Sequence, residues 1–77
     1  LILGGAGKLG RKLAERLAAA ASVGGRAITG LHLHDIVEPA AIAAPFPLTT
    51  AVGDLADPGV AEAAIAGRPD LIFHLAA

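Results

Sequence analysis

A glycine-rich segment between an apolar run and a helical pattern constrains this chain more than any other feature. Residues 4–10 read Gly-Gly-Ala-Gly-Lys-Leu-Gly and follow the apolar residues 1–3. The G-x-x-G-x-x-G spacing allows a tight turn, a close approach of the backbone to a ligand, and close packing of the next helix. A strand, a glycine loop and a helix in this order are typical of a site that holds a dinucleotide pyrophosphate. A purely structural turn is the alternative interpretation.

Each glycine of the loop has an expected role. Gly4 permits the turn, Gly7 admits the pyrophosphate, and Gly10 lets the helix pack on the strands. Lys8 and Leu9 offer backbone N–H groups to the ligand. A phosphate loop of the nucleoside triphosphatases needs Ser or Thr after the lysine, and Leu9 occupies that position. A nucleoside triphosphatase is therefore not expected.

The rest of the chain alternates between strand-like and helix-like patterns. Strands are predicted at 1–3, 31–36 and 48–52, and a buried strand at 71–75. The first helix has Leu9, Leu13 and Leu17 at helical spacing and stops at Gly24-Gly25, and a connector at 26–30 and a proline-rich loop at 37–47 flank the second strand. The second helix has Asp57 as N-cap and Pro58 as first residue, and it ends at Gly67.

This β-α-β-β-α-β order predicts an α/β fold with a parallel sheet and right-handed crossovers. We expect the N-terminal half of a Rossmann-type doubly wound sheet, with strand order 3-2-1-4 and the ligand at the carboxyl ends of the strands. The 77 residues begin inside one apolar strand, without methionine, and stop after another. We therefore interpret residues 1–77 as a partial domain, truncated at both ends.

An acidic residue closes the second predicted strand. Asp35 lies 25 residues after Gly10, where dinucleotide sites place an acid that accepts hydrogen bonds from the adenine ribose. The 2′-phosphate of NADP would meet a carboxylate there, so NAD is the expected cofactor. Ile36, its neighbour, belongs to the same predicted site. The alternative is that Asp35 simply ends a strand.

A second acid–apolar pair follows the third predicted strand. The Asp54 carboxylate is placed to accept a hydrogen bond from the adenine amino group, and Leu55 is placed to cover the ring. Gly53-Asp54 is also common turn chemistry, so a simple turn aspartate remains the alternative.

Few other side chains are candidates for metal binding or catalysis. His32 and His34 share a strand face and could approach one metal ion with Glu38, but half-exposed strand histidines are the commoner case, and no metal site is predicted. His74 is interpreted as a buried, hydrogen-bonded structural residue. The sequence has no tyrosine, no cysteine and a single serine, Ser22, so it offers no catalytic residue.

Composition excludes several classes of protein. The formal net charge is −1 and no basic cluster occurs, so a nucleic-acid partner is not expected. The absence of cysteine excludes disulfides. Prolines interrupt the longest uncharged stretch, residues 39–53, so no membrane association is expected. No basic, then apolar leader opens the chain, and a cytoplasmic protein is the expectation.

Four markers in order resemble the extended short-chain dehydrogenase/reductase family, which is the NAD-dependent epimerase/dehydratase family. The matching residues are Gly4, Gly7 and Gly10, then Asp35, then Asp54 and Leu55, and finally His74-Leu75-Ala76-Ala77. In that family the last segment lines the cofactor, so the resemblance adds Leu75, Ala76 and Ala77 to the cofactor site. It implies an NAD-binding domain, a sugar-like substrate, and a homodimer in the full-length protein.

Segments 24–26, 31–39 and 68–77 also resemble the D-erythronate dehydrogenase branch of the family. That resemblance implies an NAD-dependent oxidation of a sugar acid from hydroxyl to ketone. The Tyr-x-x-x-Lys pair of the family is absent here, so this stretch alone is not expected to catalyse the reaction. A nucleotide-sugar epimerase or dehydratase and a non-catalytic NAD-binding protein remain the alternatives.

Overall fold

The computed structural model describes residues 1–75. Within these residues, two helices and six short strands follow one another. They are β1 (Ile2–Leu3), α1 (Lys8–Ala20), β2 (Ser22–Val23), β3 (Arg26–Ala27), β4 (Leu31–Asp35), β5 (Leu48–Val52), α2 (Val60–Ile65) and β6 (Phe73–His74). In the described residues, neither helix is long and apolar enough to cross a membrane.

Four of the strands form one parallel sheet in the order β5-β4-β1-β6. In the register of this sheet, Ile2 of β1 lies between Leu33 of β4 and Phe73 of β6. Since β1, β4, β5 and β6 are the four predicted strands, the predicted α/β class and the order 3-2-1-4 are confirmed. All four carboxyl ends therefore lie at one edge of the sheet.

The core lies between α1 and the sheet. Ile2 and Leu33 are fully buried, and α1 covers them with Ala14 and Leu17. Those two positions and Gly10 follow the i, i+4, i+7 spacing of one helix face. Leu9 was predicted to share the helical apolar pattern but is 67% exposed, because a strict four-residue spacing drifts around the helix.

The predicted helix stop at Gly24-Gly25 is wrong. Helix α1 ends at Ala21, which adopts a left-handed φ of 55° and donates its N–H to the Leu17 carbonyl at 2.8 Å. Gly24 and Gly25, with φ of 57° and 79°, instead connect β2 and β3 as an antiparallel hairpin. A turn with two positive φ values favours two glycines, and the expected connector at 26–30 therefore begins with a strand.

The second helix begins later and ends earlier than predicted. Its N-cap is Gly59, with φ of 82°, rather than Asp57, and its last residue is Ile65 rather than Gly67. The N–H of Asp57 donates to the Asp54 carbonyl at 2.9 Å, so this stretch is a turn. No residue of α2 is buried, so packing does little to extend it.

The last strand is shorter and more exposed than predicted. Only Phe73 and His74 pair with β1, and Leu71 is 45% exposed. His74 is exposed as well, so its assignment as a buried structural residue is wrong. In the described residues β6 is an edge strand with one neighbour, which leaves part of its surface uncovered. The loop at 37–47 lacks helix and strand, as predicted.

Candidate functional site

The parallel sheet brings most of the predicted site residues to one edge. The glycine loop follows β1, Asp35 ends β4, Asp54 follows β5, and Leu75 follows β6. The Leu75 N–H donates to the Leu3 carbonyl at 2.8 Å, which fixes the chain just beyond β6 beside the start of the loop. Ala76 and Ala77 lie outside the described residues.

The glycine loop turns sharply against the end of β4. Gly4 has a φ of 96°, a conformation that glycine adopts without strain. The N–H groups of Gly4 and Gly5 both donate to the His34 carbonyl, at 2.8 and 3.0 Å. A Cβ on Gly5 would lie 3.0 Å from the Leu33 Cβ, so this position also needs a small residue, which the sequence motif did not reveal.

Gly10 allows the close contact between α1 and the loop. A Cβ at this position would collide with the Gly4 carbonyl oxygen and would lie 3.0 Å from the Gly5 Cα. Since both neighbours are backbone, neither can rotate away. Gly10 thus lets α1 pack closely on the glycine loop that follows β1, whereas the sequence predicted close packing of the helix on the strands.

Gly7 differs from Gly10 because the protein itself does not require glycine there. Its φ of −71° and ψ of 163° are open to any residue, and a Cβ would meet only the Gly4 oxygen at 3.5 Å, an ordinary contact. Gly7 is the N-cap of α1 and provides no capping side chain. The N–H groups of Lys8 and Leu9, in the first turn of α1, therefore have no intrahelical acceptor. Free N–H groups at a helix N-terminus favour the binding of an anion.

We expect Gly7→Ala to weaken dinucleotide binding by roughly tenfold or more while changing stability by less than about 1 kcal/mol. The added methyl group would stand where a pyrophosphate approaches the helix N-terminus. Calorimetric titration and thermal unfolding of the complete protein measure the two effects. Gly30→Ala is the matched control, because Gly30 precedes β4 at the opposite edge and has room for a Cβ. Wild-type affinity in Gly7→Ala would contradict the role of Gly7.

The Asp35 carboxylate fastens the glycine loop to the end of β4. Its Oδ2 accepts the Ala6 N–H at 2.9 Å, and its Oδ1 accepts the Ile36 N–H at 2.6 Å. A carboxylate has about four acceptor positions, so two such bonds leave room for the hydroxyls of a ribose. The side chain of Ile36 is exposed beside it.

The Asp54 carboxylate caps a turn at the end of β5. Its Oδ1 accepts the Ala56 N–H at 2.9 Å, which is the turn geometry named as the alternative interpretation. Asp54 is exposed and Leu55 is half-buried. Turn formation occupies one oxygen of the carboxylate and leaves Oδ2 for a ligand.

The two strand histidines have different environments. His34 is buried, which the sequence did not predict, and its Nε2 lies 3.0 Å from the Gly53 carbonyl oxygen. His32 is half-buried, with Nδ1 2.6 Å from Thr49 Oγ1. Burial, followed by the nearby His34 and N-terminal ammonium group, lowers the pKa of His32. No cluster of three metal-ligating side chains occurs in residues 1–75.

A parallel sheet with a glycine loop and an acid at its carboxyl edge defines an α/β protein of the dinucleotide-binding type. The sequence profile of the NAD-dependent epimerase/dehydratase family matches residues 1–77, and the chain belongs to that family. The family implies binding of NAD or NADP.

A solved structure supports this assignment. The crystal structure of the nucleoside-diphosphate-sugar epimerase from Agrobacterium tumefaciens is 44% identical to the chain and superposes with a TM-score of 0.87. The match covers 99% of this chain and 22% of the epimerase, so the chain spans less than a quarter of that protein. No curated protein matches the chain.

Proposed function

We propose that residues 1–77 are the NAD-binding part of a longer NAD-dependent oxidoreductase. The observation that carries this proposal is the Asp35 carboxylate, which contacts the glycine loop beside the N-terminus of α1. Pyrophosphate binding needs the free N–H groups of the helix, and ribose binding needs the free acceptors of the acid. Both are present at the same edge of the sheet.

The fit of a dinucleotide to this edge divides into three contacts. The N–H groups at Lys8 and Leu9 would hold the pyrophosphate. The Asp35 carboxylate would accept the hydroxyls of the adenine ribose. Asp54 Oδ2 would accept the adenine amino group, and the half-buried Leu55 would cover the ring. When bound, the nicotinamide ring accepts or returns a hydride. The residues of this chain bind and orient the cofactor.

The acid–base groups of the reaction are proposed to lie beyond residue 77. The chain contains no tyrosine, and it spans 22% of the solved epimerase, which leaves room for a catalytic Tyr-x-x-x-Lys pair elsewhere. Residues 1–77 would then be a partial domain, and the isolated stretch would bind cofactor without turnover.

The proposed substrate is a sugar acid of the D-erythronate type, whose hydroxyl is oxidised to a ketone. The resemblance of residues 31–39 and 68–77 to the D-erythronate dehydrogenase branch supports this choice. A nucleotide-sugar epimerase is the second candidate, because the solved relative is described as a nucleoside-diphosphate-sugar epimerase. The proposal also includes a cytoplasmic location and, as the family resemblance implies, a homodimer of the full-length protein.

Net production of NADH separates the two candidates. We expect the complete protein with NAD⁺ and D-erythronate to form one NADH for each substrate oxidised, as measured by absorbance. UDP-sugars serve as the comparison substrates. An epimerase would interconvert a UDP-sugar with no net NADH, because it returns the hydride to the same substrate. Turnover of a UDP-sugar without NADH would overturn the dehydrogenase proposal in favour of the epimerase.

A further inference from the structure

His34 is a polar side chain at a buried position of β4, where an apolar residue is the usual choice. It is 4% exposed, and its Nε2 lies 3.0 Å from the Gly53 carbonyl oxygen. Since a carbonyl only accepts, Nε2 must carry the proton and donate it. The other ring nitrogen, Nδ1, is buried with no partner in residues 1–75. An unpaired buried acceptor is unfavourable, and the hydrogen bond from Nε2 to the Gly53 carbonyl offsets part of that cost.

Gly53 is held from two sides. Its N–H donates to the Asp35 carbonyl at 2.9 Å, and its own carbonyl accepts from the His34 ring. A Cβ on Gly53 would lie 2.9 Å from Val60 Cγ1 and 3.4 Å from His34 Cε1. The backbone just after β5 is therefore closely packed against both side chains. Asp54 follows immediately, and its direction depends on the orientation of the Gly53 peptide.

The backbone of His34 also contacts the opposite end of the site. Its carbonyl accepts the N–H groups of Gly4 and Gly5, at 2.8 and 3.0 Å. One residue therefore touches both the glycine loop, where the pyrophosphate is proposed to bind, and the exit of β5, where the adenine is proposed to bind.

We propose that His34 is a positioning residue that sets the adenine end of the site relative to the pyrophosphate end. Its ring orients the Gly53 peptide and thereby aims the Asp54 carboxylate at the adenine amino group. His34 itself makes no contact with the cofactor in this role. The inference rests on the proposed NAD-binding function.

The test compares NAD⁺ with its hypoxanthine analogue, which lacks the adenine amino group, by calorimetric titration of the complete protein. Wild type is expected to prefer NAD⁺. His34→Leu, which removes the donor, is expected to weaken NAD⁺ binding by about tenfold and to weaken the analogue much less, so that the preference narrows. His34→Gln, whose amide can donate from the Nε2 position, is expected to restore most of the preference. His32→Gln is the control on the same strand and is expected to match wild type.

Each outcome supports or overturns a separate statement. Equal weakening of both ligands in His34→Leu, or a wild type that does not distinguish them, overturns the positioning role while leaving NAD binding intact. A wild type that binds neither ligand overturns the proposed function and the inference with it.

If His34→Leu fails to fold, the tautomer of the wild-type ring still tests the proposal. Nitrogen-15 NMR of the imidazole is expected to show a protonated Nε2 and a pyridine-type Nδ1. A neutral ring with its only proton on Nδ1 could not donate from Nε2 to Gly53, and the inference would be overturned.

Discussion

Gly10→Ala is expected to destabilise the protein by about 1–3 kcal/mol or more and to reduce dinucleotide affinity by roughly a hundredfold. The new Cβ would collide with the Gly4 carbonyl oxygen and crowd the Gly5 Cα. Because these neighbours are backbone, relief requires α1 to move away from the loop. That movement would disturb the buried contacts of Ala14 and Leu17 and would displace the helix N–H groups from the pyrophosphate.

Thermal unfolding and titration with NAD⁺ measure the two consequences in the complete protein. Gly67→Ala is the matched control, because a Cβ there meets nothing within 4 Å and Gly67 has no positive φ. The control should match wild type in both measurements. A Gly10→Ala variant with wild-type stability and affinity would mean that the loop and α1 are not packed as described. Together with Gly7→Ala, the series separates a glycine needed for packing from one needed for the ligand.

The sheet could be predicted because each of its strands is marked by a short sequence pattern of its own. Short apolar runs mark each strand, α1 has its own periodicity, and right-handed crossovers then restrict the strand order. The carboxyl ends of parallel strands meet at one edge, so the meeting of the glycine loop, Asp35 and Asp54 followed from the order alone. Their roles toward a cofactor remain predictions.

The wrong helix boundaries come from sequence patterns that are compatible with two local structures. A Gly-Gly pair can stop a helix or form a hairpin turn, and Gly24-Gly25 does the second because Ala21 already ends α1. Asp-Pro can start a helix or form a turn, and Asp57 lies in the turn because Gly59 takes the N-cap position. Tertiary contacts decide between such structures, and a single sequence does not provide them.

Contacts across the sheet were equally inaccessible to the sequence. The bond from the Ala6 N–H to the Asp35 carboxylate joins residues 29 positions apart. The buried His34 ring lies against the exit of β5, where its Nε2 contacts the Gly53 carbonyl and Gly53 has no room for a side chain. The alternation of β4 placed His34 on a face but not in a contact.

Asp35→Ala is expected to weaken NAD⁺ binding by about 10–100-fold and to narrow the preference for NAD⁺ over NADP⁺. The substitution removes the acceptor for the ribose hydroxyls and the charge that would repel a 2′-phosphate. It also releases the Ala6 N–H, so we expect faster hydrogen exchange at that amide in the cofactor-free protein. Titration with both cofactors and amide exchange measure these effects separately.

Asp35→Asn separates the two roles of the carboxylate. The one side-chain oxygen of asparagine can still accept the Ala6 N–H, with loss of the bond from the Ile36 N–H, whereas the negative charge is gone. Hydrogen exchange at Ala6 should therefore stay near that of wild type, while the preference for NAD⁺ should narrow as in Asp35→Ala. Asp70→Ala is the charge-matched control, because exposed Asp70 lies before β6 at the opposite edge of the sheet.

Cofactor titration and amide exchange test the two roles of the Asp35 carboxylate separately. Unchanged discrimination between NAD⁺ and NADP⁺ in both Asp35 variants would refute the ribose contact, whatever happens to the loop. Unchanged exchange at Ala6 in Asp35→Ala would refute the attachment of the loop, whatever happens to the cofactor preference. If both effects appear, one carboxylate both holds the glycine loop against β4 and selects the cofactor that the loop binds.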